Sequence, residues 1–153
     1  MAARPALFRH IVHATDFSAA SRKAFATAVA IARTHRASLT IAHVLAPVVP
    51  VTPGEGFVLP DTYEQMEAAT RAAAQKQLDR LLARARDGGV QASGLLLTGV
   101  PHDAIVRAGK SKRADLLVIG THGRTGLARL FLGSVASRVL ALAPCPVLTV
   151  RGG

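Results

Sequence analysis

Residues 114–138 read ADLLVIGTHGRTGLARLFLGSVASR, and this stretch decides the fold. Leu116-Leu117-Val118-Ile119 is a short apolar run with the length and composition of a parallel strand buried on both faces. It stops at Gly120, and Gly123 and Gly126 punctuate the loop that follows. Gly133-Ser134 then opens a segment in which Val135, Val139 and Leu142 recur at helical spacing. A strand, a glycine-rich turn and a helix start make a natural anion site. Glycine lets backbone N–H groups approach a phosphate, and the first helical turn presents unpaired donors at the positive end of its dipole.

Working outward, the same strand-then-helix grammar repeats. Phe8 to Ala14 contains Ile11-Val12 and meets a turn at Thr15-Asp16-Phe17-Ser18. Ser18 or Ser21 caps the next helix, whose Phe25, Ala28, Val29 and Ala32 fall at i, i+3, i+4 and i+7, carrying it to about Arg36. Leu39 to Leu45 is a second strand. Residues 46–60 hold four prolines and two glycines and read as a mobile loop. Asp61-Thr62-Tyr63-Glu64 has the form of a capping box with Asp61 at the cap, and the long helix behind it stops at Gly88-Gly89. Val90 to Thr98 is a third strand. Pro101 opens a short helix through Ile105 and Val106 to about Lys110, and Pro146 to Val150 closes the chain as a fifth strand. Such alternation predicts an α/β domain, one parallel sheet with helices on both faces, because each crossover is right-handed. The whole chain, 1–153, reads as a single domain.

Composition narrows the function. Half of the residues are hydrophobic and 18% are charged, so the chain has enough apolar surface to fold. The formal net charge is +10, from 19 Lys and Arg against 9 Asp and Glu, which favours anionic partners. The basic residues are dispersed, however, and aromatics are only 4%, which argues against a base-stacking nucleic-acid platform. A solvated basic surface is the expectation. The single cysteine, Cys145, sits between Pro144 and Pro146, has no internal disulfide partner and reads as a structural thiol. The first ten residues lack an apolar signal-peptide core, and no run approaches the ~18 apolar residues a bilayer requires. Localisation is expected to be cytoplasmic.

The spacing Gly120-x2-Gly123-x9-Gly133-Ser134 resembles the nucleotide-binding signature of the universal stress protein family, in its ATP-binding branch. The resemblance covers nearly the whole chain and is most specific from Asp115 to Val150, including Cys145-Pro146-Val147. It implies a flavodoxin-like (adenine nucleotide alpha hydrolase-like) open sheet of five strands in the order 3-2-1-4-5. In such a sheet a ligand binds beyond the strands' C-terminal ends at the switch point, here between strands one and four. Carried over by position, Asp16, preceded by Ala14 and Thr15, matches the carboxylate that closes strand one and contacts the adenosine. An ionised carboxylate suits ribose hydroxyls, although capping the first helix is its structural alternative. Val44 matches the position whose backbone reads the adenine edge. Gly120 and His122 fall near the ribose. Gly123, Gly133 and Ser134 fall along the phosphates, and the N–H groups of Val135 and Ala136 continue the cradle. Arg124 is a candidate phosphate partner; Arg129 has equal reason to face the phosphates or solvent.

Competing motifs fail. Gly109-Lys110-Ser111 imitates the end of a P-loop, but position 104 is Ala and the run follows a helical pattern rather than a strand. His13 and His43 lack a third ligand at metal spacing, so buried, hydrogen-bonded histidines are expected. No catalytic residue is assigned. The expected function is an ATP-binding stress-response regulator, with Mg²⁺ held mainly by phosphate and water, and with slow or no hydrolysis. A slow ATPase or phosphotransferase stays open, as does a basic interaction module holding AMP or cyclic AMP. The resemblance also implies a homodimer through the fifth strand, Val147, Leu148, Thr149 and Val150, for which proline at Leu148 is the disrupting substitution.

Overall fold

The computed structural model describes residues 6–48, 60–122 and 132–152. Nine elements alternate along them: β1 (His10–Ala14), α1 (Ala19–His35), β2 (Ser38–Val44), α2 (Pro60–Asp87), β3 (Ala92–Leu97), α3 (Pro101–Ser111), β4 (Leu116–Gly120), α4 (Ser134–Leu142) and β5 (Val147–Val150). All neighbouring strands pair in parallel, in the order β3-β2-β1-β4-β5. The expected sheet is therefore present, with its strand order.

Period-two alternation explains the layering. Ile11 of β1, Leu39 and Ile41 of β2, and Leu116 and Val118 of β4 pack with Ala24, Phe25 and Ala28 of α1 and Leu78 and Leu82 of α2. The intervening residues Val12, Ala14, Ala42, Leu117 and Ile119 pack on the other face with Ile105 of α3 and Ala136 and Val139 of α4. A one-residue slip of β1 would exchange these two sets, so both cores fix the register. The Asp115 carboxylate adds a pin at the sheet's N-terminal end, accepting from the backbone N–H groups of Arg9 at 2.8 Å and His10 at 3.2 Å.

Several boundaries differ, β2 and β5 by a single residue. β1 begins at His10 rather than Phe8, and β3 spans Ala92–Leu97 rather than 90–98. α2 begins at Pro60, which puts Asp61 inside its first turn rather than at the cap. Proline supplies a helical φ and lacks only an N–H that the first turn leaves unpaired anyway, and Asp61 there still complements the helix dipole. Pro60 thus belongs to α2, not to the loop; residues 49–59 of that loop lie outside the described residues. α2 ends as expected, with Gly89 at φ 80° and the Val90 N–H returning to the Ala85 carbonyl at 3.0 Å.

β5 lies at one edge of the sheet. The carbonyls of Pro146 and Val150 accept from the N–H groups of Leu117 and Thr121, each at 3.0 Å. Backbone groups alternate in direction along a strand, so Leu148 also faces β4, whereas Val147 and Thr149 face the open edge. Proline at Leu148 would break the β4 ladder; Thr149 is the position whose N–H serves the edge.

Candidate functional site

A cleft of about 270 Å³ opens beyond the C-terminal ends of β1 and β4, at the point where strand order reverses. Ten of the twelve expected residues line it: Ala14, Thr15 and Asp16 after β1, Val44 at the end of β2, Gly120 and His122 after β4, and Gly133, Ser134, Val135 and Ala136 at the start of α4. Gly123 and Arg124 lie outside the described residues, as do Gly126 and Arg129.

The β1 side is a self-satisfied turn. Ser18 caps α1, its hydroxyl accepting from the Ser21 N–H at 3.2 Å. Asp16 Oδ1 accepts from the Ser18 N–H at 2.9 Å, so the carboxylate braces the turn rather than capping the helix. Burial opposes its ionisation, but hydrogen bonds from the Ser18 amide and side chain and from Ser21 outweigh that and hold its pKa below the usual aspartate value. Asp16 is therefore an anion at neutral pH, half-buried and on the cleft wall.

The α4 side is built oppositely. Its N-cap is Gly133, which has no side chain with which to cap, and the first helical bond is Ser137 N–H to Gly133 carbonyl at 2.9 Å. By helix geometry the N–H groups of Ser134, Val135 and Ala136 have no carbonyl a turn behind them. Gly133 is needed for a second reason. Its N–H donates to the Thr121 carbonyl at 2.7 Å, and a Cβ there would stand 3.0 Å from that same oxygen. Any side chain would push the α4 start away from the end of β4.

The Val44 backbone is aimed by the ladder. Ala42 accepts from the Thr15 N–H at 2.9 Å, and Leu45 donates to the Leu97 carbonyl at 2.8 Å. Alternation turns the N–H and C=O of Val44 toward the β1 side, beyond the last residue of β1, where they meet the cleft instead of a strand.

Sequence reasoning missed several walls. Ser21, His43, Pro101, Ile105 and Thr121 also line the cleft. Thr121 sits between two expected residues, and its hydroxyl bonds His122 Nδ1 at 2.8 Å. His43 is buried and donates from Nδ1 to the Thr15 carbonyl at 2.8 Å, with its ring 4.3 Å from that of Phe17. His13 is fully buried and donates from Nδ1 to the Val118 carbonyl at 3.0 Å. Both histidines are the buried, hydrogen-bonded residues expected. Asp16 is the one carboxylate, and no lysine or arginine appears, among the described residues lining the cleft. Cys145 stands apart from it, its thiol pushed up by burial and by the Asp115 charge, which makes it a poor nucleophile.

The family model of the universal stress protein family matches residues 7–151, and the chain belongs to that family. A universal stress protein of Thermus aquaticus is 39% identical over 145 residues, covering 95% of this chain and 100% of its own. Among solved structures, the universal stress protein UspA from Lactobacillus plantarum superposes with a TM-score of 0.81 at 28% identity, covering 98% of this chain and 100% of its own. A universal stress protein solved in complex with cAMP has a TM-score of 0.71 at 30% identity, covering 96% and 99%. No helix among the described residues is long and apolar enough to cross a membrane.

Proposed function

We infer that the cleft binds an adenine nucleotide, with ATP as the expected ligand, and that its occupancy changes how the protein meets a partner in a stress response. The observation that carries this is the pairing of an uncapped helix start with an ionised carboxylate across one cleft. The α4 N–H groups suit phosphates, and Asp16 suits ribose hydroxyls. The Val44 backbone offers one donor and one acceptor, the complement of an adenine edge. The apolar walls, Ile105 and Ile119 among them, suit a base. Each charge-assisted contact to a phosphate is worth about 1.5–3 kcal/mol.

Among the described residues no group of three or more His, Cys, Asp or Glu is placed to hold a metal ion. Mg²⁺ would therefore arrive with the nucleotide, held by phosphate oxygens and water, with Asp16 as the nearest protein carboxylate. Hydrolysis is slow in this reading. The described walls offer no lysine and no second carboxylate to orient water, and donors that hold substrate and transition state equally do not speed chemistry. His122 Nδ1 is held by the Thr121 hydroxyl at 2.8 Å, and the family resemblance assigns this histidine to the ribose rather than to proton transfer at the phosphates. Replacing His122 by Ala should leave single-turnover hydrolysis of labelled ATP within a few fold. Fast hydrolysis abolished by that change would make this an enzyme.

One observation favours a second ligand. The relative solved with cAMP is similar in sequence and covers almost the whole chain, so cyclic AMP is the alternative occupant. Mass spectrometry of small molecules released from freshly purified protein, followed by calorimetry with ATP, AMP and cyclic AMP with and without Mg²⁺, ranks them. No affinity for any of the three would overturn the assignment.

The protein is expected to act as a homodimer through β5, whose Val147 and Thr149 backbone groups face the open edge and whose side chains are half-buried. Thr149→Pro removes an edge donor and leaves the β4 ladder intact, so light scattering should show monomer for the variant and dimer for the parent. A monomeric parent at micromolar concentration would end the proposal.

A further inference from the structure

A second cavity, of about 230 Å³, lies on the opposite face of the sheet, between α1 and α2. Its floor is aromatic and aliphatic: Phe17, Phe25 and Leu81. Its rim is cationic. Arg22 projects from α1, and Arg80 and Arg84 from α2, where Gln77, Arg80, Leu81 and Arg84 recur at i, i+3, i+4 and i+7 and so share one helical face. Among the described residues no carboxylate lines the groove. The single ion pair among the described residues, His102 with Asp103, lies on α3 and involves none of these arginines. Nearby Asp79 accepts from Gln75 at 2.8 Å instead.

We propose that this arginine-rimmed groove is a second anion site, distinct from the nucleotide cleft, that takes a compact phosphate-bearing ligand of diphosphate type. Three arginines reach one groove from two helices, and with no acid among the described residues lining it their guanidinium groups repel one another until an anion is seated between them. Arginine forks match the oxygen array of a phosphate, and a ligand with two linked phosphates can meet both rims at once. The apolar floor lowers the local dielectric and strengthens each contact. Arg84 is already held in place, its guanidinium carbon 5.6 Å from the centre of the Phe25 ring. A long acidic peptide would extend beyond a cavity this small. The inference stands whether or not the cleft on the other face binds nucleotide.

The two cavities share Thr15 and Ser21, whose hydroxyls lie 3.1 Å apart, so residues that are not shared must tell them apart. Inorganic diphosphate is titrated into the full chain at 0.15 M salt while backbone amides are followed by NMR. Saturable shifts are expected around Arg22, Gln77, Arg80 and Arg84. The double variant Arg80→Gln, Arg84→Gln should weaken that binding about tenfold or more, and Arg22→Gln should weaken it from the opposite helix. Ser134→Pro, on the other face, should leave it unchanged. All three arginines are exposed, so the variants should keep the parent's melting temperature. Shifts confined to residues 133–136, shifts that grow linearly without saturating, or equal affinity in the double variant would each overturn the site. A penta-glutamate peptide that moves these amides when diphosphate does not would overturn the phosphate assignment.

Discussion

Two helices begin at the rim of the same cleft and are finished in opposite ways. At α1 the local sequence supplies everything: Ser18 caps Ser21, Asp16 accepts from Ser18, and Thr15 accepts from the Phe17 N–H at 3.0 Å. Phe17 sits at φ 62°, a conformation costly for a bulky residue and tolerated because the surrounding bonds over-determine the turn. At α4 the cap is a glycine, and nothing in its own side chain closes the helix. The contrast separates a helix start closed by its own sequence from one that, in the proposed function, a ligand closes. Perturbing the first should cost stability, and perturbing the second should cost binding.

Acid should test the α1 side most severely. His13 lies beneath α1, its ring 6.0 Å from that of Phe25. Burial lowers its pKa from 6.5 to about 4, against the opposing pull of the Val118 carbonyl and the Asp16 charge. Its Nε2 is buried with no hydrogen-bond partner, so an added proton there would be unsolvated. Below pH 6.5 the unfolded chain binds a proton that the folded chain refuses until about pH 4. Stability should therefore fall as pH drops through this window, by about 3 kcal/mol, and level off below it. Denaturant titrations of the parent and of His13→Gln across that range check this, because the variant should lack the His13 component of the slope. Parallel curves would show that His13 does not set it.

The α4 side should respond to Ser134→Pro. Gly133 has φ −58° and ψ 154°, an extended conformation that accepts a following proline, and Ser134 is the first helical residue, where proline is favoured. The change deletes one N–H and one hydroxyl without breaking the helix. Nucleotide affinity by calorimetry should fall about 10- to 100-fold, with the melting temperature within a few degrees of the parent's. Unchanged affinity would remove α4 from the phosphate site.

The smallest effect is the mirror experiment. Ser18→Ala deletes the α1 cap and should cost about 1 kcal/mol of stability while leaving nucleotide affinity within threefold. A large loss of affinity with little loss of stability would invert the comparison.

Much of this was legible in the chain. The β4 run Leu116–Ile119 and the helix start at Gly133-Ser134 announced themselves by composition and spacing. Gly88-Gly89 similarly marked the end of α2. Less legible were features decided by partners distant in sequence. Asp61 looked like a cap because S/T/D-x-x-E spacing is a local signal, but the helix takes Pro60 as its first residue. His43 and Ile105 carry no motif and reach the cleft because β2 and α3 pack beside β1. Only the pairing with β4 shows that Leu148 lies on the ladder side of β5 and Thr149 on its open edge.

By itself, then, the sequence determined the alternation of strands and helices, the two-sided burial of the central strands and the glycine-marked start of α4. These depend on residue type and on contacts within a few positions of the chain. The tertiary structure alone decided that His43 and Ile105 reach the cleft, which way the backbones of Val44 and Thr149 point, and that Arg22 joins Arg80 and Arg84 on the far face. Those facts come from pairing and packing between elements tens of positions apart in the chain, where local propensity carries no information and only register and packing do.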